Sequence, residues 1–378
     1  MLRLAERFVA VCGWSVLANA AHAHHGFGNF DPSADLFTLE GVVTDIEFIN
    51  PHSWVYLTVT GKDGNPEYWR CELRAATVLT RSGWSTDMFV DGETIAITGL
   101  PDRSDSRSCY LSNVTFADGR SFNRYAQIEE AAPPVELSFD EAERPLRLAN
   151  GELNISGDWA EIQMLLTDPR VGGVPREEQP GRSRGPGAFG GPRPDPVELT
   201  AAGQAMLEAT DLRSPEGNPR FRCETTSIIF DWPWDGSVNR IVQQGDTISL
   251  HYGQHGFTRT IYMNLDTHPA DLEPSRGGHS TGSWDGDVLV VDTVGFEPGL
   301  LTGQLLHSDQ LHIVERFSLE PETLALTREY TAEDPLHFIG RHTGSDTLYI
   351  ADAPHEVHPC RELMNVDYSV EAQSEPSP

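Results

Sequence analysis

Residues 279–293 read His279-Ser280-Thr281-Gly282-Ser283-Trp284-Asp285-Gly286-Asp287-Val288-Leu289-Val290-Val291-Asp292-Thr293. Asp285-Gly286 is the pair that a tight hairpin turn demands, because the turn needs positive φ at its centre. The β-branched run after it is a strand over Val288–Val294. Working outward, strand signals return about every ten residues: Ser227–Asp231, Asn239–Gln244, Thr247–Tyr252, Thr258–Asn264, Leu311–Leu319, Thr323–Thr331, His337–His342 and Thr347–Ile350. Nine short strands without intervening helices predict an antiparallel meander closed into a lipocalin-like barrel, since closure removes exposed edges. A sandwich is the alternative.

A second all-β unit precedes it. From Phe37 to Phe122, apolar and polar residues alternate with period two, as in Trp54–Val59 and Tyr68–Leu73, and turns such as Asp91-Gly92 and Asp118-Gly119 punctuate them. Five strands with one short helix near Ala75–Ser82 fit a small OB-like barrel. Between the two units, Asp168–Pro196 is dense in Pro, Gly and Arg and holds too few large apolar residues to offset the entropy of ordering. The predicted organisation is a segment 1–23, a small barrel over 24–128, a flexible linker over 129–198 with a short helix near Glu152–Leu166, a larger barrel over 199–365 and a disordered tail over 366–378. Leu199–Ala209 reads as one more helix, capped by Thr200.

The first 23 residues have a charged start at Arg3 and Arg7, an apolar run over Phe8–Leu17, and two A-x-A signatures at Ala18-Asn19-Ala20 and Ala21-His22-Ala23. This is the pattern of a cleaved signal peptide, and the run is about half the ~20 apolar residues that a membrane span needs. No later segment is long and apolar enough to span a bilayer. The expected location is therefore periplasmic or secreted. Acidic residues outnumber basic ones 57 to 27, for a net charge of −30, which repels nucleic-acid backbones and anionic membranes. Lys62 is the only lysine, which leaves almost no candidate for Schiff-base chemistry. With Cys12 removed, four cysteines remain, two in each half. In an oxidising compartment this favours Cys71–Cys109 and Cys223–Cys360, although four cysteines allow three pairings. No C-x-x-C spacing points to zinc.

Two sets of residues carry chemistry. In the larger unit, His279 and His307 are candidate proton carriers and Asp266, Asp292 and Glu315 candidate orienting carboxylates, because a histidine works near neutral pH once a carboxylate fixes its tautomer. His268, Arg276, Ser280, Trp284 and Glu329 are candidate ligand contacts. Projected into the barrel mouth, these residues would make a pocket for a small, partly apolar molecule, with acid–base chemistry of the isomerase or lyase type. Neither Gly278-His279-Ser280-Thr281-Gly282 nor His307-Ser308 sits in a strand-to-helix nucleophile elbow, which argues against serine hydrolysis. The second set, His24, His25 and His52, makes copper the one cofactor the sequence suggests: a chain starting at His24 offers its α-amine and ring together to Cu(II). A non-catalytic interaction protein is the third class.

These strings also carry a resemblance. Residues 23–122, through His24-His25-Gly26-Phe27, Asn50-Pro51-His52 and Gly83-Trp84, resemble a domain family of unknown function found in exported bacterial proteins, with Gly26 where that family usually has serine. Residues 199–340, through the string from His279 to Thr293 and His307-Ser308, are similar to a second uncharacterised family of exported bacterial proteins. The resemblance implies export and two domains. It brings no catalytic residue with it.

Overall fold

The structure is a computed structural model and describes residues 30–126, 145–161 and 197–361, except 32, 51, 104, 213, 235, 236, 352 and 353. The first unit contains β1 (Phe37–Glu47), β2 (Trp54–Thr60), β3 (Pro66–Glu72), α1 (Ala76–Arg81), β4 (Thr94–Pro101), β5 (Ser108–Thr115) and β6 (Ser121–Asn123). The sheet runs β3-β2-β1-β4-β5-β6, and a parallel pairing of β3 with β5 closes the first five strands into a barrel of the OB type. Cys71 and Cys109 are direct partners in that closing pair, and their disulfide locks it. Val55, Leu57, Ile97, Leu111 and Val114 alternate inward and fill the core.

The second unit contains β7 (Gly157–Ala160), β8 (Glu198–Leu199), α2 (Ala201–Ala209), β9 (Val238–Gln244), β10 (Thr247–His251), β11 (Thr258–Tyr262), β12 (His279–Asp285), β13 (Val288–Val294), β14 (Gly299–Thr302), β15 (Leu305–His307), β16 (His312–Glu320), β17 (Ala325–Glu333), β18 (Phe338–Ile339) and β19 (His342–Ile350). Nine strands close the larger barrel in the order β10-β11-β12-β13-β16-β17-β19-β7-β9. The Thr200 hydroxyl caps α2 by accepting from the Gly203 N–H, as its sequence predicts.

Membership of this barrel differs from expectation in four places, the first being that His279–Asp285, expected only as a motif, forms strand β12. Residues 157–160, which fall in the predicted linker and its short helix, form the closing strand β7; Gly157 has φ of 137°, which no helix tolerates. The predicted strand Ser227–Asp231 is a turn, because the Asp231 carboxylate accepts from the N–H groups of Thr226 and Ser227 while the Ser227 hydroxyl accepts from those of Ile229 and Phe230. The predicted strand His337–His342 shrinks to β18, paired with β8 outside the barrel, because the Asp334 carboxylate draws the N–H groups of Leu336 and His337 into a turn. The meander is also not purely antiparallel, since β11 and β12 pair in parallel.

The turn at 226–231 plugs the barrel. Ile228, Trp232, Phe317 and Trp159 are all at most 1% exposed and fill the interior, so the space expected for a ligand holds side chains. Within this packing lies an ionic network. The Arg328 guanidinium, 1% exposed, donates to both Asp346 oxygens, to Glu315 Oε1 at 3.1 Å, and to the plug carbonyls of Ile228 at 2.8 Å and Ile229 at 3.0 Å. Glu315 Oε2 accepts from Arg259. Two cations thus face two carboxylates, and the network is neutral. Beside it, Asp231 pairs with Arg220 at 3.1 Å, and burial pushes the Asp231 carboxyl up to about 6 against the pull of Arg220.

A C-terminal strap joins the two barrels. Asn50 donates its N–H to the Pro359 carbonyl at 2.8 Å and accepts from the Arg361 N–H at 3.0 Å, Arg361 pairs with Glu47, and the Cys223–Cys360 disulfide fixes the strap to the larger barrel. Both cysteine pairings match the expectation.

Truncating Arg328 leaves Glu315 and Asp346 buried beside plug carbonyls that have lost their donor. Arg328→Met should cost about 3–5 kcal/mol of folding stability, measured by urea denaturation. A loss under about 1 kcal/mol would show that the plug is held by apolar packing alone.

Candidate functional site

A parallel pair cannot be joined by a tight turn. The chain between β11 and β12 must cross over, and residues 263–278 do so along the outside of the barrel, carrying His268. The strands beneath present alternate residues to that face. On β13, Leu289, Val291 and Thr293 are buried inside and Asp292 projects outward; on β16, Ile313, Glu315 and Phe317 are inside and His312 projects outward. His279 opens β12 on the outer side, while its neighbour Ser280 faces in and shares a hydrogen bond of 2.9 Å with the Thr293 hydroxyl.

These placements assemble one cluster. Asp292 Oδ1 lies 2.9 Å from His268 Nε2, Asp292 Oδ2 lies 2.8 Å from His312 Nε2, and His268 Nδ1 lies 2.8 Å from His279 Nδ1. The His279 ring stacks on Tyr262 with centroids 5.1 Å apart and planes at 12°. Chemistry fixes the protons. An ionised carboxylate only accepts, so His268 donates from Nε2 and His312 donates from Nε2. Neutral His268 then has a lone pair at Nδ1, which takes the Nδ1–H of His279. What remains is a lone pair on His279 Nε2, for which the described residues offer no hydrogen bond. Burial, and then the neighbouring His268, hold the His279 imidazole below its ordinary value, which keeps it unprotonated near neutral pH. Burial works against the Asp292 carboxylate, but the bonds from His268 and His312 outweigh it and hold the group below the usual range.

Of the residues singled out in the sequence, His279, His268 and Asp292 meet here. The others do not. Glu315 is 0% exposed inside the barrel between Arg259 and Arg328, so it orients no histidine; its odd position on β16 faces the core. His307 is buried under the β14–β15 hairpin, donates from Nδ1 to the Ser308 carbonyl at 3.0 Å and is held low by burial. Asp266 is exposed in the crossover. Arg276 binds the Thr225 carbonyl and the Glu224 carboxylate, fastening the crossover to the plug segment. Ser280 faces the interior, Trp284 is half-buried against the core, and Glu329 is exposed on β17. The expected pocket inside the barrel mouth is therefore corrected to a cluster on its outer wall.

His312 and Tyr262 belong to the cluster and were not signalled by any motif. Parity alone marks His312: in Leu311–Leu319 it falls on the face opposite Leu311, Ile313 and Phe317. In the small barrel, His52 Nδ1 lies 3.1 Å from buried Glu72. His24 and His25 lie outside the described residues, and so does the segment 1–23. Among the described residues, no group of three or more His, Cys, Asp or Glu side chains is arranged to hold a metal ion. Among them too, no helix is long and apolar enough to cross a membrane. A cleft of about 50 Å³ between the barrels, lined in part by Thr77, Arg81 and His358, has room for only a few waters.

The lowered Asp292 carboxyl carries a pH signature. A carboxylate whose value falls on folding adds stability above its unfolded value near pH 4 and loses it as pH drops through the folded value. Asp292→Asn should therefore be less stable than the native chain at pH 6, with the gap closing by pH 3 in thermal melts. An unchanging gap would mean that the histidine bonds contribute nothing.

Comparison with known proteins adds a limit and one positive finding. No curated protein and no solved structure matches the chain. Residues 14–110 match the model of a family of unknown function, DUF6152, in agreement with the resemblance read from the small barrel and silent on the larger one.

Proposed function

We propose that this is an exported two-domain protein whose larger barrel performs acid–base chemistry on a small, partly apolar molecule at its outer wall, with His279 Nε2 as the general base. One observation carries the reading: in the series Asp292–His268–His279, every inner N–H is committed and the terminal lone pair is left open toward solvent. A proton taken up at His279 Nε2 can be answered by movement of the Nδ1 proton to His268, which places the positive charge beside Asp292. This is how a carboxylate raises the effectiveness of an imidazole base without itself being protonated. Tyr262, 37% exposed and stacked on the His279 ring, supplies an apolar wall next to the base. The two disulfides support an oxidising compartment.

The reaction class that suits a lone base without a nucleophile is removal of an activated proton next to a carbonyl. The C–H pair becomes an enolate π bond, and the proton resides on the imidazole until it is returned. The test is deuterium incorporation into cyclohex-3-en-1-one in D₂O, followed by NMR. The native chain should accelerate exchange over buffer, and His279→Ala should slow it by about 10²–10⁴-fold while the melting temperature stays within a few degrees. No acceleration by the native chain, or a collapse of stability in the variant, would overturn the proposal.

A further inference from the structure

Asp292 is shared. One oxygen holds the arm that ends at His279 Nε2, and the other holds His312 through Nε2, leaving the His312 Nδ1 lone pair outside the pair of bonds. His312 has 41% of its side chain exposed, so that second nitrogen is open to solvent. Two basic ends therefore hang from a single negative charge. With both ends neutral the cluster carries one unit of negative charge, and a proton at either end brings it to zero. A second proton makes the cluster positive and must be added with no further carboxylate to receive it. Both protonation sites face the same wall of the barrel, since Asp292 and His312 alternate with buried neighbours on adjacent, directly paired strands.

We propose that His312 is the second proton carrier of this site, and that Asp292 couples it to His279 so that the cluster works with one proton between two ends, one acting as base while the other acts as acid. The inference rests on the reading of His279 as base and extends it from proton removal to proton transfer within one molecule. The substrate class becomes one in which hydrogen leaves one carbon and arrives at another. At a β,γ-unsaturated ketone, the C–H bond next to the carbonyl breaks, its electron pair enters a dienolate, the double bond moves, and a C–H bond forms at the γ carbon. No oxidant or reductant enters.

Two charged groups on the adjoining strands are committed elsewhere. On β17, Glu333 lies opposite His312 in register and is paired with Arg341; on β16, Arg316 is paired with Asp285 of β12. On β11 the stacked group is Tyr262, and the crossover brings Asp266, Asp271 and Glu273 in addition to His268. Among the described residues, only Asp292 touches both arms.

The experiment is an NMR titration of the full chain with ¹⁵N-labelled histidine, assigned with the His279→Gln and His312→Gln variants. Coupling predicts that the His279 and His312 signals each move in two steps shared between them, that His312→Gln leaves His279 with a single step, and that Asp292→Asn lowers both midpoints. A His279 curve unchanged by His312→Gln would overturn the inference and leave His279 standing as a lone base. On cyclohex-3-en-1-one, His312→Gln should slow conversion to the conjugated ketone at least tenfold more than it slows deuterium exchange next to the carbonyl. Equal loss of both would also overturn it, whereas failure of the native chain to exchange at all would end the reading beneath it.

Discussion

The Arg328 guanidinium decides what the larger barrel is. A plane of nitrogens 1% exposed is tolerable only when its donors are met, and here two carboxylates and two backbone carbonyls meet them. Those carbonyls belong to the plug, so the same group that neutralises the interior also holds the turn at 226–231 inside it. Strands β16, β17 and β19 and the plug are tied to one point. A barrel filled in this way holds side chains where a ligand cavity was expected, and the proposed chemistry is therefore placed on its outer wall.

The one parallel pairing in that barrel supplies such a wall. Joining β11 to β12 in parallel requires a long crossover, and the crossover lays His268 over a face where Asp292 and His312 already project. A meander of hairpins alone would have left that face bare. Gly282 shows how tightly the pair is fitted: a Cβ there would sit 2.6 Å from both Ile261 and Met263. The histidine cluster is thus a product of topology as much as of residue choice, since its members come from four strands and a loop that no sequence spacing would bring together.

Much of this fold was legible before any coordinates. Turn pairs such as Asp285-Gly286 marked strand ends because few residues accept positive φ, and two cysteines in each half led to the observed pairing. The misses have physical causes. Strand β12 lacks a β-branched run and contains Gly282, so the stretch looked like a motif rather than a ladder. Strand β7 is four residues long and far in sequence from both neighbours, and Ile155 before it and Trp159 within it sit four apart as on a helix. Glu315 was assigned to the site because an inward-facing carboxylate was expected to line an open barrel mouth, whereas the plug fills that space and Arg259 and Arg328 hold the carboxylate. His312 was missed because its parity turns it outward, away from the expected cavity. Asp292 and His279 were singled out in the sequence and fall in one cluster, but the placement of His268 between them depends on the crossover and could only come from the fold.

The position of β7 has a consequence for how the molecule comes to be. Tyr349 and Ile350 pair with Ala160 and Trp159, so the larger barrel remains an open sheet with unpaired borders until residues 342–350 have been made. The small barrel, complete by residue 115, can fold first as an independent unit. Early maturation of one half and enforced delay of the other make the interval before β19 arrives the vulnerable stage of biogenesis, when the margins of β7 and β17 are free to pair with a neighbouring copy.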